Sequence, residues 1–430
     1  MSDENQAPPR PEDPVPREAT PGGPDPWAGP DVETPGGPDS WTASHAETPG
    51  GPTPWAGPDA EPATPPHPAF EFLEPGTVRP SAPEPLEPAP PPPLPRRVLR
   101  SAFVIALLGF AALLLGQIEA AVLIAIAALY FMAQGADVHP AMGRVHALLG
   151  WIPSVLGAAL LGALASILVT DGPPTPLRLA FAVFSGVGAL ASLATLIPRV
   201  VDGLVRSLFR RASPSRTLRL TARIALVALW LGLPTWVAFR DRLAEMLQDP
   251  GALVSPSKLS GGLVGYVVLA FASVGFLVRR DWRGSLERLG LGALRPRDWL
   301  TVIGGVLALW LFNTGSELLE RRMFPALWAS DQGFGAALAG VMGPAQMLLL
   351  GLSAGVGEEI TLRGALQPKL GIALTSLLFA ALHVQYSWYG MLAILVFGLI
   401  LGAIRQRSGT TAAILVHGLY DLLAVAASRT

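Results

Sequence analysis

The stretch that decides the fold runs from Ser101 to Gln134 and reads SAFVIALLGFAALLLGQIEAAVLIAIAALYFMAQ. Near its middle, only Gln117 and Glu119 interrupt the apolar run. Runs of about 18 or more apolar residues are typical of membrane-spanning helices. The stretch therefore predicts either two membrane helices or one long, tilted helix.

Apolar segments of the same kind continue to the C-terminus. Several are short for a hydrocarbon core of roughly 30 Å. We predict spans at about residues 101–117, 120–136, 146–169, 177–198, 224–239, 259–278, 300–316, 338–358, 371–387, 390–404 and 410–428. The predicted fold class is an all-α polytopic membrane protein, a helical bundle of about 8–11 transmembrane helices.

The first 95 residues differ in composition from the rest. They hold 29 of the 43 prolines and a net charge of −13, whereas residues 96–430 carry +12. A Thr-Pro-Gly-Gly-Pro unit recurs every 14 residues, at Thr20–Trp27, Thr34–Trp41 and Thr48–Trp55. Proline and glycine at this density do not build a core, so residues 1–95 are predicted to form a disordered acidic tail. The tail is either a solvated spacer or, with its three Trp, a ligand for a proline-binding partner.

Positive charge marks the predicted cytoplasmic side. The predicted inner loops carry 21 Lys and Arg, including seven Arg at 199–223 and six at 279–299, and the outer loops carry far fewer. The positive-inside rule then predicts an integral protein of a bacterial-type plasma membrane, with its N-terminus cytoplasmic and its C-terminus outside. Because this charge lies between apolar runs, nucleic-acid binding is not expected. The chain has no cysteine, which excludes disulfides and thiolate metal sites.

Ionisable side chains are concentrated in three consecutive apolar segments near the C-terminus. Charges inside membrane helices are costly and by default mark functional sites. Two imidazoles and several carboxylates, held away from bulk water, can activate water and stabilise an oxyanion. They are also candidate ligands for a divalent metal such as zinc. The residues are Glu358, Glu359, Arg363, His383, His417 and Asp421.

The spacing of Glu358, Glu359 and Arg363 predicts which way each side chain points from its helix. Glu359 and Arg363 are four residues apart, so on a helix they can pair and lower the cost of a buried charge. Arg363 also lies at the predicted inner end of its span, where a long side chain can reach the headgroups. Glu358 lies about 100° around the helix from Glu359 and is free to hold a water molecule.

The two histidines have partners at the same spacing. Asp421 follows His417 by four residues, so its carboxylate can orient the imidazole. Phe379 precedes His383 by four, which places its ring beside that imidazole. These side chains are predicted to lie in the inner half of the bilayer around a common cavity. By themselves they indicate hydrolysis within the membrane and name no substrate.

Three motifs in this order resemble a known family. Glu358-Glu359-x-x-x-Arg363, Phe379-x-x-x-His383 and His417-x-x-x-Asp421 are similar to the motifs of the CPBP family, the CAAX proteases and bacteriocin-processing enzymes that include the Rce1-type prenyl-protein endopeptidases. The segment Phe397–Gly402, followed by Arg405 and Ser408-Gly409, resembles the link between the second and third motifs of that family. The resemblance covers about residues 338–428.

The resemblance implies an intramembrane endopeptidase that cleaves near the C-terminus of a lipidated, CAAX-type or other membrane-delivered substrate. Glu358 would be the general base, helped by His383, while Glu359 and Arg363 position the site. His417 and Asp421 would face the oxyanion.

The resemblance leaves two chemical questions open, the role of Asp421 and the use of a metal. The eukaryotic members have Asn where this chain has Asp421, and bacterial members use either. Asp421 is therefore protonated, orients His417 or binds a metal. The family is often labelled metalloprotease, and a metal-free glutamate mechanism has also been argued. If a metal such as zinc is used, Glu358, His383 and His417 are its expected ligands.

The sequence divides into three predicted parts. Residues 1–95 are the tail, 96–255 a transmembrane region of unknown role, and 256–430 the protease-like domain. The alternative is an inactive membrane scaffold whose tail recruits a partner. A proton-coupled transporter using Glu358 and Glu359 is a third hypothesis, and no internal duplication favours it.

Overall fold

The computed structural model describes residues 96–209 and 213–429, and these residues form helices without any β-strand. The predicted tail over residues 1–95 lies outside the described residues. The helices are α1 Arg96–Leu114, α2 Ile118–Ala136, α3 Pro140–Leu149, α4 Ile152–Thr170, α5 Pro176–Ala194, α6 Pro198–Phe209, α7 Arg216–Met246, α8 Pro250–Leu253, α9 Pro256–Val274, α10 Trp282–Leu289, α11 Pro296–Met323, α12 Pro325–Val341, α13 Pro344–Leu352, α14 Gln367–Ala381 and α15 Trp388–Ala427. Between α13 and α14 the chain winds as two π-helical segments, Ser353–Glu358 and Ile360–Leu366.

Within the described residues, eight helical stretches are long and apolar enough to cross a membrane. Large apolar side chains such as Phe103, Leu300 and Leu311 are more than half exposed on helices of this bundle. Such surfaces suit contact with lipid tails rather than with water. The prediction of an all-α membrane protein is confirmed. The eight stretches are Ile118–Ala136, Pro140–Thr170, Pro176–Ala194, Arg216–Ala238, Pro250–Val274, Pro296–Met323, Pro344–Ala381 and Trp388–Ala427.

The first two predicted spans are separate helices. The backbone of Gly116 has a φ of 67° between α1 and α2, which a continuous helix does not allow. Ala112 of α1 then packs with Ala120, Ala121 and Ile124 of α2. The alternative of one long tilted helix is therefore wrong.

The last four predicted spans form two long helical stretches in the structure. Spans 338–358 and 371–387 fall largely within the single stretch Pro344–Ala381, and spans 390–404 and 410–428 within Trp388–Ala427. One glycine interrupts each stretch: Gly371 has a φ of 78° and Gly409 a φ of 85°. These left-handed conformations suit glycine, so a single residue redirects the helix where a loop was expected.

Two of the arginine-rich segments predicted to be cytoplasmic meet at Asp137, directly after α2. Its carboxylate forms ion pairs with Arg279 at 2.8 Å and with Arg216 at 3.8 Å. The guanidinium of Arg288 donates to the carbonyl of Gly364 at 3.2 Å. These contacts fit the predicted topology, and the orientation itself stays a prediction.

A buried core between α11, α14 and α15 supports the motif-bearing helices. Leu309, Phe379, Leu401 and Val416 are all nearly inaccessible and belong to one cluster. Burial of such side chains fixes the positions of the helices that carry them. The core therefore lies directly behind the second and third motifs.

Candidate active site

Glycines bring the first motif against α15. A Cβ atom at Gly355 would lie 2.8 Å from the carbonyl oxygen of Ile414 and 2.9 Å from backbone atoms of Gly418. A Cβ atom at Gly418 would lie 2.8 Å from the carbonyl oxygen of Gly351. The two backbones can approach this closely only because neither glycine has a side chain. This close contact places the first motif next to the third motif on α15.

The buried half of the site is a charge network behind the accessible groups. Glu359 and Arg363 are both fully inaccessible. Glu359 Oε1 lies 3.0 Å from His417 Nδ1, and Glu359 Oε2 lies 3.5 Å from Arg363 Nε. The predicted pairing of Glu359 with Arg363 is therefore present. The expectation that Arg363 reaches the headgroups is wrong, because its guanidinium lies 4.6 Å from the Phe379 ring centroid inside the protein.

The accessible half of the site contains Glu358, His383 and Asp421. Their side chains keep 20%, 16% and 21% exposure, respectively. Glu358 Oε2 and His383 Nε2 face each other at 3.9 Å. His383 Nδ1 lies 2.7 Å from the carbonyl oxygen of Phe379, which can only accept, so Nδ1 carries a proton. In the neutral ring, Nε2 then presents its lone pair toward Glu358.

His417 joins the two halves of the site. Its Nδ1 faces Glu359, and its Nε2 lies 3.6 Å from Asp421 Oδ2. Phe379 packs edge-on against both imidazoles, with ring centroids 4.5 Å from His383 and 5.8 Å from His417. All six predicted site residues therefore lie in one cluster, in which Phe379 contacts Arg363, His383 and His417.

The loop that carries His383 is held by residues that the sequence analysis did not identify. Ser387 Oγ lies 2.8 Å from Asp331 Oδ2 and 3.2 Å from Glu320 Oε1, and the Ser387 amide donates to Asp331. Burial raises the pKa of the Asp331 carboxyl, and the hydrogen bonds from Ser387 oppose that shift. Ser387 also caps α15 by accepting from the amide of Gly390. A serine directly before a helix can be predicted from sequence to cap that helix. The contacts of Ser387 with Asp331 and Glu320 cannot be predicted in this way.

Tyr266 is a second neighbour that the sequence analysis did not find. A Cβ atom at Gly357 would lie 3.1 Å from its side chain, so the ring packs against the residue that precedes Glu358. Thr361 Oγ1 donates to the Tyr266 carbonyl at 3.0 Å. Tyr266 lies about 90 positions before the first motif, and nothing in its local pattern indicates this contact.

The three predicted metal ligands do not come together as a ligand group. His417 turns both ring nitrogens toward carboxylates of the protein, Glu359 and Asp421. Across the described parts of the chain, no group of three or more His, Asp or Glu side chains is arranged to hold a metal ion. The arrangement of the described side chains therefore does not fit a metal centre.

Comparison with known proteins gives one match. Residues 340–423 match the family model of type II CAAX prenyl endopeptidase Rce1-like proteins, and all six predicted site residues fall inside that range. The match confirms the resemblance that the three motifs predicted and supports intramembrane endopeptidase activity in general. No curated protein and no solved structure was found to match the chain.

Proposed function

We propose that this chain, whose residues 340–423 carry the Rce1-like domain, is a glutamate-dependent intramembrane endopeptidase. The observation that carries the proposal is the facing pair of Glu358 and His383. Glu358 Oε2 and His383 Nε2 are 3.9 Å apart, and both side chains are partly exposed beside a buried charge network. A carboxylate and an imidazole lone pair at this separation can hold one water molecule between them.

In the proposed reaction, Glu358 is the general base. Its carboxylate takes a proton from the water, and the water oxygen attacks the carbonyl carbon of the scissile peptide. His383 Nε2 accepts the second hydrogen of the water as a hydrogen bond and so fixes the direction of attack. The tetrahedral intermediate collapses when Glu358 gives its proton to the leaving amine, which breaks the carbon–nitrogen bond.

The oxyanion of the intermediate is stabilised next to His417. Both of its ring nitrogens face carboxylates, Glu359 at 3.0 Å and Asp421 at 3.6 Å, so both can donate when the ring is protonated. A cation held in place near the developing oxyanion is a strong contribution to catalysis in a site of low dielectric. Glu359 and Arg363 act as positioning residues for His417, because neither is accessible to a substrate.

The proposed substrate is a peptide bond near the C-terminus of a lipidated, CAAX-type or other membrane-delivered chain. The site lies among helices long enough to cross the membrane, which favours substrates that arrive through the bilayer.

The test is a cleavage assay in liposomes with prenylated and unprenylated C-terminal peptides. Glu358→Gln keeps the size of the side chain and removes the base, so we expect turnover to fall by about 10²- to 10⁴-fold. We expect a loss of similar size for His383→Ala. The matched control is Glu287→Gln, because Glu287 is 67% exposed and far along the chain from the motifs.

Full turnover by folded Glu358→Gln would contradict the proposal. The scaffold alternative makes the opposite prediction: cellular function would persist without Glu358 and would be lost on deletion of residues 1–95. The peptide panel also tests substrate class, since equal cleavage of both sets would show that the lipid is not recognised.

A further inference from the structure

Helices α11 and α12 hold the segment of chain that joins His383 to α15. The hydroxyl of Tyr389 donates to the carbonyl of Ser316 in α11 at 3.2 Å. The ring of Phe324, between the two helices, lies 5.1 Å from the ring of Trp388. Almost all of both helices precedes residue 340, where the match to the family model begins. The start of α15 is therefore fixed from outside the matched region.

Asp331 of α12 binds this segment with both of its carboxylate oxygens. Oδ1 accepts from the amide of Ser387, and Oδ2 accepts from the hydroxyl of Ser387, each at 2.8 Å. Ser387 Oγ also lies 3.2 Å from Glu320 Oε1 in α11. Two hydrogen bonds to one carboxylate define the direction as well as the distance of the contact. Asp331 therefore fixes both the backbone and the side chain of Ser387.

The space for the Asp331 carboxylate depends on the glycine at position 390. A Cβ atom at Gly390 would lie 2.5 Å from Asp331 Oδ2 and 2.8 Å from the Cβ atom of Tyr386. The amide of Gly390 donates to Ser387 Oγ at 3.0 Å. Because glycine has no side chain, the first turn of α15 can lie this close to the carboxylate.

A turn of four residues connects Ser387 to His383. The amide of Tyr386 donates to the carbonyl of His383 at 3.3 Å. The rings of Tyr386 and His383 are nearly parallel, at 20°, with centroids 6.5 Å apart. His383 Nδ1 is held at the carbonyl of Phe379, and Nε2 faces Glu358. The imidazole therefore has one support on α14 and a second one in Tyr386.

One face of α12 contacts both Tyr386 and Ser387. Asp331 and Phe334 are three residues apart in α12, so their side chains lie on the same face of the helix. Asp331 binds Ser387, and the ring of Phe334 lies 5.8 Å from the ring of Tyr386. The position of α12 is thereby transmitted to the ring beside His383.

We propose that Asp331 is a positioning residue for His383 and acts through Ser387 and Tyr386. Without the carboxylate, the amide and the hydroxyl of Ser387 lose their acceptor, and the turn is free to shift. His383 Nε2 would then leave its place opposite Glu358. A shift of about 1 Å in a reacting group can lower the rate about 10²-fold. This inference rests on the proposed function, which gives His383 its role.

Hydrogen–deuterium exchange of the purified full-length chain in detergent tests the positioning without a substrate. Asp331→Ala should raise exchange over residues 383–390 and leave residues 353–366 unchanged. Asp331→Asn should restore protection, because its amide can accept from the Ser387 amide and donate to Ser387 Oγ. Ser330→Ala, at the exposed neighbouring position of α12, is the control. Unchanged exchange over residues 383–390 in folded Asp331→Ala would overturn the proposal.

A second variant keeps this test decisive if Asp331→Ala does not fold. Ser387→Ala removes the hydroxyl and leaves the backbone hydrogen bond to Asp331. It should raise exchange over residues 383–390 by less than Asp331→Ala does. Exchange equal to that of the wild type in folded Ser387→Ala would likewise overturn the proposal.

The liposome cleavage assay then measures the effect on catalysis. Asp331→Ala should lower kcat about 10- to 100-fold with KM nearly unchanged, and Asp331→Asn should recover most of that loss. In a His383→Ala background, Asp331→Ala should cost little more, because the group that it positions is already absent. An equal fold loss in both backgrounds, or raised exchange with unchanged kcat, would overturn the proposal. A folded wild type that cleaves no peptide would instead contradict the proposed function, and the exchange result alone would then decide the positioning.

Discussion

Arg363 is the side chain of the site at which loss of an ion pair should reduce stability strongly. Its side chain is fully inaccessible, with Glu359 at 3.5 Å and the Phe379 ring at 4.6 Å. The chain also contains an exposed pair with the same spacing, Arg283 and Glu287, at 3.0 Å. The two pairs share their chemistry and differ in burial, so they separate the effect of desolvation from that of charge pairing.

We predict that Arg363→Met lowers the free energy of unfolding by about 3–5 kcal/mol, because it leaves the buried Glu359 carboxylate without its arginine. Adding Glu359→Gln should recover part of that loss, since the buried carboxylate that has lost its arginine is then gone. Arg283→Met should change stability little. Chemical unfolding in detergent measures all three. A double variant less stable than Arg363→Met would contradict the explanation.

The residues of the site were predictable from sequence where their partners lie one helical turn away. Glu359 with Arg363 and Phe379 with His383 follow from a spacing of four. The contact of Glu359 with His417 joins residues 58 positions apart and depends on how two helices pack. The contacts of Ser387 with Asp331 and Glu320 also depend on how helices pack, so the local sequence pattern does not predict them.

At the scale of elements, the π-helical segments are the feature that positions the site. They extend from Ser353 to Glu358 and from Ile360 to Leu366, contain Glu358 and Arg363, and flank Glu359. π-Helical turns are rare and often occur at functional sites, where the wider turn redirects side chains. Gly355 is the residue of this segment that sets its distance from α15.

We predict that Gly355→Ala reduces both stability and turnover. Its new methyl group would lie 2.8 Å from a carbonyl oxygen of α15, and backbone cannot give way as a flexible side chain can. Overpacking of this kind costs about 1–3 kcal/mol, and it would separate Glu359 from His417. The control is Gly304→Ala, where no atom lies within 4 Å of the added group. Thermal unfolding and the liposome assay measure the effect, and wild-type turnover by Gly355→Ala would refute the packing argument.

The helices themselves were largely predictable, whereas their interruptions were not. Apolar run length placed most spans within a few residues, because lipid contact demands long apolar surfaces. Gly371 and Gly409 change the chain direction within apolar stretches, and a single glycine there looks like the many glycines that stay helical. The separation of α1 from α2 at Gly116 is the same kind of feature.

At the scale of the whole molecule, the N-terminal helices contact the residues that match the family model, and neither sequence region indicates these contacts alone. Lys369 Nζ lies 5.8 Å from the ring centroid of Tyr130 in α2. A Cβ atom at Gly232 of α7 would lie 3.1 Å from Ala381 of α14. Part of residues 96–255 therefore packs directly against the region that carries the three motifs, which composition could not indicate.

The predicted orientation of the whole bundle can be tested directly because the chain has no cysteine. Arg407 lies near Gly409 in a segment predicted to be cytoplasmic, Ser428 directly follows α15, and both are exposed. The positive-inside rule predicts that a membrane-impermeant maleimide labels Ser428→Cys in intact cells and labels Arg407→Cys only after permeabilisation. The cysteine-free parent is the control for background labelling. Labelling of Arg407→Cys but not Ser428→Cys in intact cells would invert the topology and place the arginine-rich loops on the outer side.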